Sequence, residues 1–377
     1  MYDELNQLIR ENNHELLQYV CYTYDHSGNI QSKTSHAWAG TVLDTDTYIY
    51  GNTQWSDLLT NYNGTAISYD ASGNPLCWRN ASSLNWQGCK LTSLTLDTMG
   101  MQGMTFSYNS EGIRTKKSHY NHNDGNMYGV TYVLDGTKIL SQTYLHSISK
   151  QTYTVKFFYD ENDAPIAMEY DGNYYYYRTN IQGDIEGIYN ASGTLVVSYS
   201  YDAWGNILST TGTLASTVGE INPFRYRGYY YDTETGWYYL QSRYYDPTVG
   251  RFLNADEPLL IGATGTLLSL NLFAYCENSA VSSFDLNGYL YISYRQLDKV
   301  FKTISDMSKA FRIHTNKGLY GTLAGLAAPY ISALFSWVNT ILLVGQVIFC
   351  IVVVSAVYFA GIVTYAYYIK KQEWIFR

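Results

Sequence analysis

Tyr24-Asp25-His26-Ser27-Gly28-Asn29 is the stretch that decides the fold, because it returns as Tyr69-Asp70-Ala71-Ser72-Gly73-Asn74 and as Tyr201-Asp202-Ala203-Trp204-Gly205-Asn206. Looser copies begin at Tyr108, Tyr159 and Tyr189. In such a phrase the aromatic residue ends a strand, the Asp or Asn side chain caps a turn, and glycine takes the left-handed conformation. Each copy therefore predicts a strand–turn–strand unit.

The segments between the turns have the pattern of strands. Residues 194–201 (TLVVSYSY) combine a period of two with β-branched and aromatic side chains. One hairpin cannot bury its own apolar face, so repeated hairpins indicate an extended sheet of stacked neighbours. We predict a mainly β fold in which antiparallel hairpins form a curved, partly open sheet. The alternative is an ordinary antiparallel sandwich with similar turns.

The repeats resemble those of the YD-repeat (RHS-repeat) family over most of residues 1–210. The run NPFRYRGYYYDTETGWYYL, residues 222–240, resembles the opening of the RHS repeat-associated core domain. That resemblance continues through residues 241–247, 250–252 and 271–275, and places the core domain at 211–289. The resemblance implies a β-strip wound into a hollow shell around a C-terminal payload, often a toxin, which the core can separate by self-cleavage.

The start of this chain departs from that plan, because Met1-Tyr2-Asp3 already reads as the middle of a repeat. A strip of this length is expected to stay open, and its exposed edges could pair with further YD-repeat segments. We also expect no N-terminal signal peptide, since Glu4, Arg10 and Glu11 interrupt the first apolar run.

Two aspartates are the candidate catalytic residues. The resemblance implies an intramolecular aspartyl protease in which Asp256 and Asp285 share one proton, with cleavage near Tyr289-Leu290. Arg251 is the candidate for orienting a carboxylate. Such a core would act once rather than turn over. The family motif has Pro and Gly after each aspartate. Here Leu286 replaces the Pro after Asp285, and Leu259 stands where the Gly after Asp256 is expected. The alternative is that both aspartates only cap turns.

Composition excludes several other classes of protein. The chain has 24 Lys and Arg against 32 Asp and Glu, a net charge of −8, which disfavours nucleic acid as a partner. Five scattered cysteines without CxxC spacing argue against a disulfide scaffold and a zinc site. Since nucleotide-binding and metalloprotease motifs are missing too, we predict no cofactor and no metal. The 41 tyrosines serve either sheet packing or, as in an adhesin, carbohydrate stacking.

The C-terminal part has a different character. Residues 290–317 are predicted to form an amphipathic basic linker helix, because apolar residues recur at helical intervals in a segment rich in Lys and Arg. Residues 318–369 contain no Asp, Glu, Lys, Arg or His. Two segments, about 318–337 and 341–369, are long enough to cross a bilayer, so the tail 318–377 is predicted as a helical membrane hairpin with lipid as its partner.

Together these features predict a β-repeat scaffold that carries a C-terminal membrane-inserting segment. We favour a toxin-type payload of an interbacterial polymorphic toxin, with an immunity protein as partner and a membrane-associated, extracellular or cell-surface location. Two alternatives stay open: a membrane-anchored repeat protein for adhesion or binding at the cell surface, and an inactive truncated remnant.

Overall fold

The computed structural model describes residues 1–14, 16–97, 102–121, 127–146, 149–285, 287–289 and 291–293.

A side-chain oxygen organises each repeated turn. Asp25 Oδ1 accepts hydrogen bonds from the backbone N–H groups of Ser27 and Asn29, both at 2.9 Å. The same pair of bonds recurs at Asp70, Asn109, Asp160, Asn190 and Asp202. The turn glycines have positive φ, for example +78° at Gly28. The predicted turn chemistry is thus confirmed.

The repeats form two open antiparallel sheets in which the strands pair in chain order. The first sheet has six strands and the second has twelve, within the described residues. The strands are β1 (Arg10–Asn13), β2 (Gln18–Tyr24), β3 (Ile30–Ala37), β4 (Val42–Ile49), β5 (Asn61–Tyr62) and β6 (Thr65–Ala66); then β7 (Ala81–Gln87), β8 (Lys90–Leu96), β9 (Gln102–Tyr108), β10 (Arg114–Asn121), β11 (Met127–Asp135), β12 (Lys138–His146), β13 (Thr152–Tyr159), β14 (Pro165–Tyr170), β15 (Asn173–Thr179), β16 (Ile185–Asn190), β17 (Leu195–Tyr201) and β18 (Ile207–Thr211). The mainly β, open antiparallel fold predicted from the sequence is confirmed.

The following segment is built from short elements. Helix α1 (Val218–Ile221) precedes a four-stranded sheet of β19 (Tyr230–Asp232), β20 (Trp237–Tyr239), β21 (Tyr244–Asp246) and β22 (Arg251–Phe252). Strands β23 (Ser283–Asp285) and β24 (Tyr291–Ser293) form a separate pair. Short 3-10 helices cover Tyr226–Gly228, Pro258–Leu260, Leu268–Leu270 and Tyr275–Asn278. We call residues 223–285 the core segment.

The core segment packs against strands of both repeat sheets. The ring of Phe224 lies 4.8 Å from that of Phe157 on β13, between centroids. On the first sheet, the hydroxyl of Tyr48 donates to the Val249 carbonyl at 3.1 Å. Tyr238 and Tyr245 are fully buried. The apolar core therefore lies between the repeat strands and the core segment.

Tyrosines of the repeated phrase also connect neighbouring hairpins. The hydroxyls of Tyr108, Tyr159 and Tyr201 each donate, at 2.7 to 2.8 Å, to a backbone carbonyl 16 to 20 residues earlier in the chain. Here tyrosine serves the sheet-packing role predicted for it. Other rings face solvent, including Tyr174 and Tyr176, so the carbohydrate-stacking alternative stays a prediction.

Buried charges tie the core segment to the repeat strands. Asp232 accepts two hydrogen bonds from the Arg114 guanidinium, at 2.6 and 3.0 Å, and one from Lys117 Nζ at 3.0 Å. The side chains of Asp232 and Arg114 are each 1% exposed. A buried carboxylate is tolerated only when it is paired and hydrogen-bonded, as this one is.

Most of the predicted C-terminal segments lie outside the described residues. This holds for residues 294–317 of the predicted linker helix and for both predicted membrane spans, 318–337 and 341–369. Residues 291–293 form strand β24, so the chain is extended where the linker helix was predicted to begin. Within the described residues, none of the helices combines the length and the apolar character that a membrane span requires. The boundaries 1–210 and 211–289 stay predictions.

The buried ion pair predicts a large loss of stability on mutation. Asp232→Asn leaves the buried Arg114 without its carboxylate, while Lys117 keeps only Glu234, and should lower the free energy of unfolding by about 3–5 kcal/mol. The matched control is Glu169→Gln, which breaks the exposed Lys156–Glu169 pair and should cost less than about 1 kcal/mol. Urea denaturation followed by tryptophan fluorescence measures both. Equal losses in the two variants would show that the buried pair has no special weight.

Candidate functional site

Arg243 joins the two candidate aspartates. Its Nη2 atom lies 2.9 Å from Oδ2 of Asp256 and 3.2 Å from Oδ2 of Asp285. The two Oδ2 atoms are therefore no more than about 6 Å apart. The three side chains are between 2% and 9% exposed. The structure thus brings together two carboxyl groups that are far apart in the sequence.

Three further contacts fix the Arg243 guanidinium. It lies over the ring of Phe252, with 3.4 Å from Cζ to the ring centroid. Nη1 donates to the Leu272 carbonyl at 3.0 Å, and Nε donates to the Gly288 carbonyl. Arg243 itself is placed by the tight turn between β20 and β21, where the Leu240 N–H donates to the Arg243 carbonyl at 2.9 Å. A planar donor group held on this many sides is preorganised.

The segment after β23 runs directly past this guanidinium. Asp285 Oδ1 accepts the N–H groups of Asn287 at 3.2 Å and Gly288 at 2.8 Å. The hydroxyl of Ser242 donates to the Asn287 carbonyl at 2.8 Å. These bonds hold the backbone up to Gly288 beside both aspartates. Tyr289 is the next residue, and Leu290, on the far side of the predicted scissile bond, lies outside the described residues.

Gly288 is required by the geometry of this segment. Its φ is +81°, and a Cβ atom there would lie 2.5 Å from Ser242 Oγ and 2.8 Å from the Leu240 carbonyl oxygen. Any other residue would be strained and would push the segment away from Arg243.

A small cavity borders the two aspartates. It has a volume of about 40 Å³, and Arg243, Asp256 and Asp285 contribute to its wall. A cavity needs roughly 10–15 Å³ of such space to admit one water molecule. With carboxyl and guanidinium groups in the wall, the cavity can hold water next to the candidate scissile segment.

Burial shifts both carboxyl groups toward the protonated form. Burial raises the pKa of Asp256 to about 7, although the charge of Arg243 and the hydrogen bond from the Glu257 N–H oppose the shift. Burial also raises the pKa of Asp285, against the same opposing effect of Arg243. One carboxyl group can therefore carry a proton near neutral pH while the other is ionised.

Arg251, the predicted orienting residue, lies elsewhere. It donates to the hydroxyl of Tyr50 and to the carbonyl of Asp57, both at 2.7 Å, and so connects the core segment to the loop between β4 and β5. Arg243, which sequence reasoning missed, is the arginine that pairs with both candidate aspartates. Its only signal is that it falls inside the run resembling the core domain.

The alternative that the aspartates cap turns also has support. Asp285 accepts two N–H groups of its own turn, and Asp256 Oδ1 accepts the N–H of Glu257 at 2.8 Å. Capping and pairing thus use different oxygens of the same carboxyl groups.

Within the described residues, no group of three or more His, Cys, Asp or Glu side chains is arranged to hold a metal ion.

Comparison with known proteins identifies relatives of the described part of the chain. The sequence model of the Teneurin YD-shell family matches residues 1–281. The chain is 33% identical over 291 residues to the tRNA3(Ser)-specific nuclease WapA of Bacillus spizizenii, and 34% identical over 291 residues to the tRNA nuclease WapA of Bacillus subtilis. Both alignments cover 76% of this chain and 12% of the relative, so the chain spans about an eighth of their length.

More distant relatives share the same region. The Double-stranded DNA deaminase toxin A of Burkholderia cenocepacia is 25% identical over 322 residues, which covers 74% of this chain and 21% of the toxin. The crystal structure of TcdB2-TccC3-Cdc42 superposes with a TM-score of 0.61 at 21% identity, over 77% of this chain and 15% of that chain. The Tc holotoxin pore of Photorhabdus luminescens gives a TM-score of 0.63 at 21% identity, over 76% and 15%. These structures share the fold.

The pKa of Asp256 predicts a specific dependence of stability on pH. Because the pKa is higher in the folded than in the unfolded chain, Asp256 stabilises the fold at low pH, and this contribution is lost as the pH rises through about 7. The unfolding free energy should fall from pH 5 to pH 8 in the wild type, and this fall should be about 2 kcal/mol larger than in Asp256→Asn. Urea titrations at the two pH values measure the difference. Parallel pH profiles for the two proteins would contradict the raised pKa.

Proposed function

Because this chain belongs to the Teneurin YD-shell family, we propose that residues 1–289 act as the shell and core of a toxin-type carrier. The core would cut the chain once, near Tyr289-Leu290, and release the residues that follow as a payload. The observation that carries this proposal is the placement of Asp256, Asp285 and the Gly288 carbonyl around one guanidinium.

The proposed cleavage is a hydrolysis that uses the aspartates as acid and base. The ionised carboxylate takes a proton from water while the water oxygen attacks the carbonyl carbon of the scissile peptide. The protonated carboxyl group gives its proton to the leaving nitrogen. Arg243 keeps the pair together and holds the backbone at Gly288, one residue before the proposed scissile bond.

We further propose that the released residues form the membrane-inserting payload predicted from the sequence. The supporting observation is the uncharged stretch 318–369, which is long enough for two spans. Two of the relatives are nucleases by name and a third is a deaminase toxin, so a related shell accompanies different activities. In this proposal the partners are a lipid membrane and an immunity protein, and the protein is membrane-associated, extracellular or at a cell surface.

Self-cleavage predicts two products from the purified wild-type chain. Their masses should correspond to a break near Tyr289-Leu290, and Asp256→Asn and Asp285→Asn should each slow the reaction about 100-fold or more. The rate should fall as the pH rises above about 7, where Asp256 loses its proton. Denaturing gels and intact mass spectrometry over pH 5 to 9 measure this. Asp160→Asn, at an exposed repeat turn, is the matched control. A single full-length band for the wild type at every pH would rule out the cleavage.

The payload proposal predicts membrane damage by residues 291–377. Induced expression in bacteria should collapse the membrane potential, as reported by a voltage-sensitive dye. Val353→Asp places a carboxylate in the second predicted span, opposes insertion by about 2.5–3.5 kcal/mol, and should restore the potential. If the wild-type tail fractionates with membranes but leaves the potential unchanged, it is an anchor and not a toxin.

A further inference from the structure

One loop of the core segment closes on itself beside the aspartate pair. The Asp256 N–H donates to the Leu272 carbonyl at 3.1 Å and joins the two ends of residues 257–271. Inside, the Gly262 N–H donates to the Ser269 carbonyl at 3.0 Å. A stretch of this length with joined ends and internal bonds is an Ω-loop, a type of loop that is often functional. We call residues 257–271 the Ω-loop.

The Ω-loop has an inner and an outer side. On the inner side, Leu260 and Leu268 are buried and, with Thr264, line the cavity that also borders Asp256 and Asp285. On the outer side, Leu259 and Leu267 are 77% and 71% exposed. Residues 258–270 contain no charged side chain. The Ω-loop thus supplies an apolar wall between the aspartates and bulk water.

One polar contact holds the middle of the Ω-loop against the rest of the core segment. The hydroxyl of Thr264 donates to Glu277 Oε1 at 2.5 Å. Glu277 is only 9% exposed and borders the same cavity. A nearly buried carboxylate with this hydroxyl as its hydrogen-bond donor is a strong acceptor. The bond therefore connects the middle of the Ω-loop to a residue outside the loop.

The backbone that presents Glu277 is unusual. Cys276, Glu277 and Asn278 have φ values of +51°, +49° and +63°, a left-handed run without glycine. Contacts with the first repeat hold it: Asn278 Nδ2 donates to the Gly28 carbonyl at 2.7 Å, and the Leu8 N–H donates to the Asn278 carbonyl at 2.9 Å. Sparsely populated conformations persist where the surroundings over-determine them, and they cluster at functional sites.

We propose that Thr264 and Glu277 are positioning residues that latch the Ω-loop over Asp256 and Asp285. The latch keeps bulk water away from the aspartate pair and thereby sets the pH range in which the core cleaves itself. This inference rests on the proposed self-cleavage, but the closed state of the loop can be tested without it.

Desolvation of Asp256 connects the closed Ω-loop to the pH range of the proposed self-cleavage. Burial is the largest cause of its raised pKa, and Leu260 and Leu268 belong to the wall that shields the cavity. An open Ω-loop admits water, so the pKa of Asp256 falls toward its ordinary value. The charged and titratable groups around Asp256 and its cavity are Arg243, Asp285, Glu257, Cys89, Tyr289 and Glu277. All of these residues stay in place in a Thr264 variant, and among them only Glu277 loses a hydrogen-bond donor when Thr264 becomes valine.

The test compares two substitutions at one position in the full chain. Thr264→Val removes the hydroxyl and keeps the shape, whereas Thr264→Ser keeps the hydroxyl. We expect the alkaline limit of self-cleavage to move down by about one pH unit in Thr264→Val and to stay in place in Thr264→Ser. Thermal unfolding by circular dichroism checks that both variants fold. A valine variant with the wild-type pH profile overturns the proposal, and so does a serine variant that shifts as much as valine.

A second measurement keeps the latch testable if the wild type does not cleave. In an Asp285→Asn background, thermolysin should cut within residues 257–271 about five- to tenfold faster when Thr264 is valine, because one hydrogen bond to a charged group no longer opposes opening. The serine variant should match the background. Equal digestion of all three proteins overturns the latch, whether or not the wild type cleaves itself.

Discussion

An open sheet of hairpins cannot cover its own inner face, and the rest of this structure depends on how that face is covered. Each repeat buries alternate residues on one side, and the core segment packs against that side with its aromatic side chains. The contact is apolar for the most part, and it is made specific by the buried ion pairs of Asp232 with Arg114 and Lys117. A sliding or misplaced core segment would leave these charges buried without partners, which costs far more than a misplaced hydrophobic contact.

The candidate site inherits its geometry from this packing. Tyr244 lies against Phe106 of the repeats, which fixes β21 and so the turn that carries Arg243. Asn278 reaches back to Gly28, so the wall beside Glu277 is held by the first repeat, about 250 residues earlier in the chain. The aspartate pair is therefore assembled only once the repeats and the core segment have come together. The proposed single cleavage gains from this condition, because a partly folded chain does not hold the reacting groups in place.

The sequence predicted the local chemistry well and the tertiary contacts poorly, for a physical reason. The turn at Asp25 depends on residues within five positions of each other, so the repeated phrase was sufficient to identify it. Asp256 and Asp285 were found through resemblance, since nothing local pairs them. Arg243 and Arg251 each stand directly before an aromatic residue in the same run. Only the folded chain shows which of them contacts the carboxyl groups of Asp256 and Asp285. The left-handed run at Glu277 has no sequence signal, because glycine, the usual marker of that conformation, is absent.

Charge balance explains why a buried site of this composition favours one shared proton. Arg243 contributes one positive charge, and each ionised aspartate contributes one negative charge. With one aspartate protonated the group is neutral; with both ionised it carries a net negative charge in a poorly solvated place, which burial disfavours. With both protonated, the guanidinium is left without a counter-ion. The burial that raises the pKa values of Asp256 and Asp285 therefore favours the state with one protonated and one ionised carboxyl group, which is the state that the proposed hydrolysis requires.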